Sequence, residues 1–399
     1  MNHAPTEYDG LLLSSHYQPI YSLAHRRTVG VEALLRAKHS GRPLMPEEAY
    51  ALMTTPQERH ALNLAALKAH VNNQASKHDP RWLFLNINAA SLAEPEYVDA
   101  VAQTIIASGI TPQSVVLEVM EHEQGTDEVL QRSMRQLRKL GFLIAIDSFG
   151  VRHSNLDRIC EMAPDLVKFD RRLLRSAASN PRIRNLLVRL VHLMHESGAL
   201  VVQEGVETDS DVLVALESGC DLVQGDFVAR PSMTPDGDEL ITPRIDARWD
   251  ELMVRDLLTR KITRRQLELA RQAFVQSAIL LIQNTPFDEA AKPMLSMPNV
   301  IRCFLLDNKG RQIWRNLNAN PPSKSAQLKF APLADTTGAV WSRRNYFQHA
   351  IDQPGVLYMS EPYLSMTDTR NCVTLSMAIE IDESLHVLCT DMLAQNSMQ

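Results

Sequence analysis

The sequence predicts an α/β barrel of the (β/α)8 type followed by a smaller α+β domain, and three observations predict it. Short apolar runs alternate with amphipathic segments from residue 16 to about 228. Such alternation demands a mostly parallel sheet with helices packed outside it. Five of the runs carry an acidic or amide side chain at or near their ends: 29–36 (VGVEALLR), 83–88 (LFLNIN), 115–121 (VVLEVME), 143–150 (LIAIDSFG) and 201–208 (VVQEGVET). Buried strands that deliver carboxylates at their C-terminal tips are how such a barrel builds an active site. After Pro243 the pattern changes to a long helical run and then to short strands.

Each element follows from local pattern. A first strand near 17–23 meets 29–36 across a tight AHRRT turn, a hairpin connection that makes one strand of the TIM-like barrel antiparallel. A helix at 57–77 sets Leu62, Ala65, Ala66 and Ala69 on one face. Pro95 opens a helix at 95–108 from a first-turn position. Leu130, Met134, Leu137 and Leu140 recur at helical spacing in 127–140. The runs FLIAID, LVKFD, LVVQEG and LVQGDF supply the last strands, separated by helices at 181–197 and 209–218. The barrel is thus assigned to residues 11–235, connecting helices to 245–285 with Thr263 as N-cap of the second, and a third segment to 296–399. There an Asp307–Gly310 turn joins two short strands, and a helix at 340–351 interrupts the strands that follow.

Carboxylates converging from separate strands repel one another unless a cation holds them. Glu32, Asn86, Glu118, Asp147 and Glu204 therefore read as oxygen ligands for a hard divalent ion such as Mg²⁺ or Mn²⁺. Each has a duller rival: Glu32 on a helix surface, Asn86 capping a turn, Lys168 solvated after a strand. Asp170 reads as a cap or salt-bridge residue and Glu207 as structural, while His192 and His195 lie on a solvated helix face.

The same residues carry a family resemblance. HYQPI at His16, EALLR at Glu32, NIN at Asn86, LEVMEHE at Glu118 and AIDSFG at Asp147 occur in order. VKFD at Lys168, QEGVET at Glu204, GCDLVQG at Gln224 and ARP at Arg230 continue the series. Together they resemble the EAL domains, which hydrolyse or bind cyclic di-GMP. The resemblance implies a metal shell of Glu32, Asn86, Glu118 and Asp147, and Lys168 holding the attacking water. It also implies Glu204 as general base, substrate contacts from Arg36, Leu35 and Gln224, and Glu121 anchoring a neighbouring loop. A homodimer is implied as well.

One position departs. Hydrolytic EAL domains carry two consecutive aspartates before Phe-Gly, where this chain reads Asp147-Ser148-Phe149-Gly150. Serine is neutral and a poor ligand for a hard dication, so metal affinity and charge neutralisation both fall. The following VRHSNL also departs from the family's loop, and Asp226 replaces its tyrosine after Gln224-Gly225. Two functions compete: a cyclic di-GMP receptor with weak or lost hydrolysis, and an active phosphodiesterase yielding linear pGpG. An unrelated metal-dependent barrel enzyme is the alternative of another class.

Bulk properties point to a soluble cytoplasmic protein. At 399 residues the chain is long enough for a barrel and a second domain, and its net charge of −6 gives no reason to bind a nucleic acid polymer or an anionic membrane. Five cysteines without a CxxC pair read as reduced thiols, and no basic-then-apolar leader opens the chain. The 296–399 segment resembles a PAS/Cache-like sensor. Trp341, Arg343, Arg344, Tyr346, Tyr358 and Tyr363 suit a small anionic or zwitterionic ligand there, a protein partner being the other expectation, or else the aromatics form core and the arginines are solvated.

Overall fold

The computed structural model describes residues 6–75, 81–120, 128–150, 156–234, 238–320, 336–367 and 370–394. The chain divides into two compact units, Met1–Val254 and Arg255–Gln399.

In the first unit eight strands close a barrel: Leu11–Ser22, Arg27–His39, Trp82–Ile87, Val115–Met120, Leu143–Phe149, Leu166–Phe169, Leu200–Gln203 and Leu222–Val223. From Arg27–His39 round to Leu222–Val223 every neighbouring pair is parallel. Leu11–Ser22 closes the ring antiparallel to both its neighbours, as the expected hairpin requires. That strand starts earlier than near 17, because Leu11 and Leu13 are buried with Leu35 and Ala37 in a core that also includes the Pro56–Ala75 helix. On that helix Leu62, Ala65, Ala66 and Ala69 are the buried face, as their spacing predicts. On Glu128–Lys139 the buried residues include Leu130, Met134 and Leu137, whereas Leu140 lies past the helix end and is exposed.

Side chains alternate across each strand, and the alternation sorts the barrel into layers. Ile20, Phe84, Val116, Ala145, Leu166, Val202 and Leu222 form one apolar cluster, an apolar plug with one residue from each of seven strands. The eighth strand contributes Gly30, paired with Ile20. A Cβ on Gly30 would sit 2.7 Å from Phe84 Cε2, so glycine is what lets the phenyl ring fill the plug.

In the second unit Leu317–Asn318, Val300–Asp307, Ser384–Leu393, Asn371–Ile381 and Tyr358–Met359 form an antiparallel sheet, with Tyr363–Leu364 also paired to Asn371–Ile381. One face packs Cys303, Leu305, Leu375 and Leu388 against Ala270, Phe274, Ala278 and Leu281 of the Ile241–Ile282 helix. The other packs Phe304, Leu306, Ala378 and Val387 against Tyr346, Phe347 and Ala350 of the Asn345–Asp352 helix.

Two expectations are corrected. The connecting helix pair is one helix of 42 residues, Ile241–Ile282. No glycine or proline lies between Pro243 and Pro286, and a mid-helix threonine costs well under ~1 kcal/mol. The Asp307–Gly310 turn is present, with the Gly310 amide donating to Asp307 O at 3.0 Å, but no full strand returns from it. The Gln312 amide instead donates to Ala339 O and its carbonyl accepts from the Gly338 amide, while the Ile313 amide donates to Leu305 O, leaving only isolated bridges.

Gly30→Val is expected to destabilise the barrel by about 1–3 kcal/mol through overpacking. Adding Phe84→Leu should recover part of that loss in chemical denaturation. Equal costs with and without Phe84→Leu would break the account of the plug.

Candidate active site

Two residues beyond the apolar plug, toward the C-terminal ends of the parallel strands, each strand contributes one polar side chain to the next layer. These are Gln18, Glu32, Asn86, Glu118, Asp147, Lys168, Glu204 and Gln224. The plug excludes water from below, so Glu118 and Lys168 in the layer above it are buried, while Asn86 in the same layer is exposed at the mouth.

Lys168 sits at the centre, 1% exposed. Its Nζ lies 2.8 Å from Glu118 Oε1, 2.9 Å from Glu204 Oε1 and 3.0 Å from Glu32 Oε2, with Asp147 Oδ1 at 4.0 Å. Asn86 Nδ2 donates to Glu32 Oε1 at 2.8 Å, and Gln224 Nε2 donates to Glu32 Oε2 at 2.7 Å. Gln224 Nε2 also reaches Gln18 Oε1 at 3.2 Å, while Gln18 Nε2 donates to Ala229 O at 3.2 Å. Because the ammonium takes the central position, the carboxylates ring Nζ; among the described residues no three His, Cys, Asp or Glu side chains enclose an ion-sized gap.

The titration of these groups follows from burial and from one shared cation. Burial pushes Glu32 up, but Lys168 and the hydrogen bonds from Asn86, Gln224 and Lys168 outweigh it and hold its carboxyl at about 2. Glu118, wholly buried, is pushed well above the carboxylate range by burial and then by the Glu32 charge. Asp147 is raised by burial against the pull of Lys168. Burial also raises Glu204, to about 7. Burial disfavours the Lys168 ammonium, yet Glu118, Glu204, Glu32 and Asp147 together hold its pKa well above the usual value.

Arg36 lies four residues past Glu32 on the same strand, hence on the same face and beyond it. It is half-buried, with Nη1 donating to Leu35 O at 2.8 Å. His16 is pushed below its usual pKa by burial and then by the Arg36 charge. Leu35 is not at the mouth. Strand alternation turns it to the opposite face, where it is buried with Leu11, Leu62 and Met53. Glu121 lies outside the described residues.

Ser148 has φ of 58°, in the left-handed region, at an irregularity in the pairing between Ile146 and Phe149. Its amide donates to Asp147 Oδ1 at 2.8 Å and its hydroxyl to Asp147 Oδ2 at 3.4 Å. Asp170 is an N-cap, accepting from the Arg172 amide, and Glu207 pairs with Arg175 at 3.2 Å, as expected of structural residues. His195 is more engaged than a solvated face implies, with Nε2 2.9 Å from Asp221 Oδ2. Gln18 escaped the sequence-based assignment, though a glutamine inside the apolar SHYQPI strand was its signal.

A closed barrel whose C-terminal mouth gathers four carboxyl groups, three amides and a buried lysine is an α/β-barrel protein with its charged cluster at that end. The chain belongs to the EAL domain family, whose family model matches residues 9–231. It is 27% identical over 223 residues to the cyclic di-GMP phosphodiesterase RocR of Pseudomonas aeruginosa, covering 54% of this chain and 57% of that protein. It covers 31% of an Azorhizobium caulinodans protein and 28% of the Bacillus subtilis signaling protein YkoW, a minor part of each. The Bacillus subtilis YkuI protein, which has an EAL domain and was solved with cyclic di-GMP and calcium, shares the fold. Its TM-score is 0.79 over 96% of both chains, at 21% identity. The calcium and cyclic di-GMP complex of Klebsiella pneumoniae BlrP1 matches with TM-score 0.52 and 27% identity, over 56% of this chain and 57% of that one.

A carboxyl raised in the fold loses stability as pH climbs. For Glu204 this loss begins at the ordinary value near 4.5 and is complete above about 7. In metal-free protein, Glu204→Gln should flatten the fall in stability between these limits, by about 1–3 kcal/mol. Parallel wild-type and variant profiles would contradict the burial of this carboxylate.

Proposed function

We propose that the barrel binds cyclic di-GMP and that its hydrolysis to linear pGpG is weak or lost, because Ser148 stands where hydrolytic family members carry a second aspartate. The observation that carries this function is the ring of polar side chains around Lys168, present on every strand and lacking one acidic group beside Asp147.

The residues fit a hard divalent cation. Glu118 Oε2 is buried and has no hydrogen-bond partner among the described residues, which is a vacant acceptor of the kind such an ion completes. Glu32, Asn86, Glu118 and Asp147 would hold Mg²⁺ or Mn²⁺, and relatives solved with calcium or manganese support a dication. When bound, the ion supplies charge neutralisation for an anionic phosphodiester and a more acidic water.

The chain's own side chains do the rest. Arg36, beyond Glu32 on the same face, clamps a phosphate with its planar fork. Lys168 Nζ orients the attacking water, and Glu204, raised toward neutrality, takes that water's proton at a carboxylate oxygen. Gln224 fixes Glu32 and meets the ligand, and Glu121 is proposed to anchor the neighbouring loop. Ser148 donates its hydroxyl to Asp147 and adds no charge, so the second-metal side is short of one anionic ligand.

We further assign the protein to the cytoplasm as a homodimer, with residues 296–399 as its PAS/Cache-like regulatory domain. All five cysteines are free, in keeping with a reducing compartment, and no described helix is long and apolar enough to cross a membrane.

Calorimetry in Ca²⁺ should show saturable cyclic di-GMP binding, weakened by about 1.5–3 kcal/mol in Arg36→Ala. Absence of binding by the wild type removes the receptor function. In Mg²⁺ or Mn²⁺, Ser148→Asp should linearise cyclic di-GMP at least about tenfold faster than wild type, in line with the usual effect of disturbing a metal's surroundings. Turnover that is already fast, with no gain on substitution, would instead make the protein an active phosphodiesterase.

A further inference from the structure

We infer that the Arg255–Gln399 unit binds a small organic carboxylate, in a pocket built around Arg344 on the sheet face that carries the Asn345–Asp352 helix. The pocket is a half-open cleft with a cavity volume of about 20 Å³. Trp341, Tyr346, Tyr363 and Met366 give it apolar walls, and Arg302, Arg344 and Asp391 are its charged lining.

The two arginines differ in their commitments. Arg302 is buried, with Nε 3.0 Å from Asp391 Oδ2 and Nη2 donating to Ser365 Oγ at 2.9 Å. Asp391 Oδ1 accepts from Thr374 Oγ1 at 2.8 Å and from the Tyr363 hydroxyl at 3.1 Å. That pair is closed by its own partners. Arg344 has no such anchor: among the described residues its guanidinium makes no hydrogen bond and no ion pair. It lies 5.2 Å from the Tyr363 ring centroid and 5.9 Å from that of Trp341. Thr336 Oγ1 lines the same pocket, is buried and also has no hydrogen-bond partner among the described residues.

One uncompensated cation and one unanswered hydroxyl call for an anion that accepts hydrogen bonds. Guanidinium matches carboxylate geometry with two parallel bonds, and the aromatic walls favour a ligand with an apolar body. A zwitterion fits less well, because among the described residues Asp391 is the one acidic side chain lining the pocket and its oxygens are already engaged. The ligand class is therefore narrower than the anionic or zwitterionic expectation from sequence.

The test is calorimetric titration of the full chain with propionate, benzoate, benzamide, glycine and inorganic phosphate. Saturable binding is expected for propionate or benzoate, with glycine and phosphate weaker and benzamide silent. Arg344→Gln should weaken the better carboxylate by about tenfold or more, the equivalent of one charged hydrogen bond. Arg344→Lys should lose less, since it keeps the charge without the fork. Arg343→Gln, at an exposed neighbour, should bind as wild type does. The site is overturned if neither carboxylate binds, or if benzamide matches benzoate. It is equally overturned if phosphate or glycine binds more tightly than both carboxylates, or if Arg344→Gln leaves affinity unchanged.

Discussion

One ammonium group holds the barrel mouth together. Two like charges 4 Å apart cost about 4 kcal/mol at an effective dielectric near 20, and four carboxylates face one another across this layer. Lys168 approaches three of them at hydrogen-bond distance from a position closed to solvent. Neither side of the cluster is tolerable alone, since removing one partner of a buried ion pair costs about 3–5 kcal/mol. The apolar plug beneath is part of the same constraint, because a water-filled barrel would screen these charges and leave nothing for a ligand to complete.

Much of this was legible in the sequence, for a definite reason. A strand buried on both faces reads as an unbroken apolar run, so a carboxylate at its end is conspicuous. Glu32, Glu118, Asp147 and Glu204 announce themselves that way, and the structure brings them together around Lys168. The central place of Lys168 was not legible, because its position follows from eight strands closing at once and VKFD shows only one. Gln18 was missed since its strand runs antiparallel and presents the glutamine near its middle. Leu35 was misplaced because adjacency in EALLR hides the alternation that sends neighbours to opposite faces.

The second unit was legible in its strands and poorly so in its connections. Long pairings such as Asn371–Ile381 with Ser384–Leu393 announce themselves by alternation, and the two-residue Asp382-Glu383 link has positive φ at both positions, as tight hairpins require. The segment after Gly310 looked equally strand-like, but it shares its hydrogen bonds between Leu305 and Asp307 on the preceding strand and Gly338 and Ala339, a division set in part by chain far away in sequence. The unbroken Ile241–Ile282 helix was divided in expectation at a threonine that a helix absorbs at little cost.

Ser148 shows how a strand tip can carry one charge fewer without a change of fold. The left-handed backbone there is one that aspartate and asparagine tolerate better than most residues. Serine retains the turn and the contact to Asp147, so the strand and its neighbours need not change; what is gone is a negative charge. The two polar clusters of the molecule can be compared on the same footing. In the barrel, four carboxyl groups face one lysine, burial pushes Glu118, Asp147 and Glu204 toward their neutral forms, and an orphan oxygen remains on Glu118. In the second unit, among the described residues, two arginines face one aspartate, leaving excess positive charge and an orphan hydroxyl on Thr336. A buried charge set that does not balance is costly in isolation, and the ligands proposed for the two units, a cation with a phosphodiester for the first and an organic anion for the second, are of the kind that would complete each.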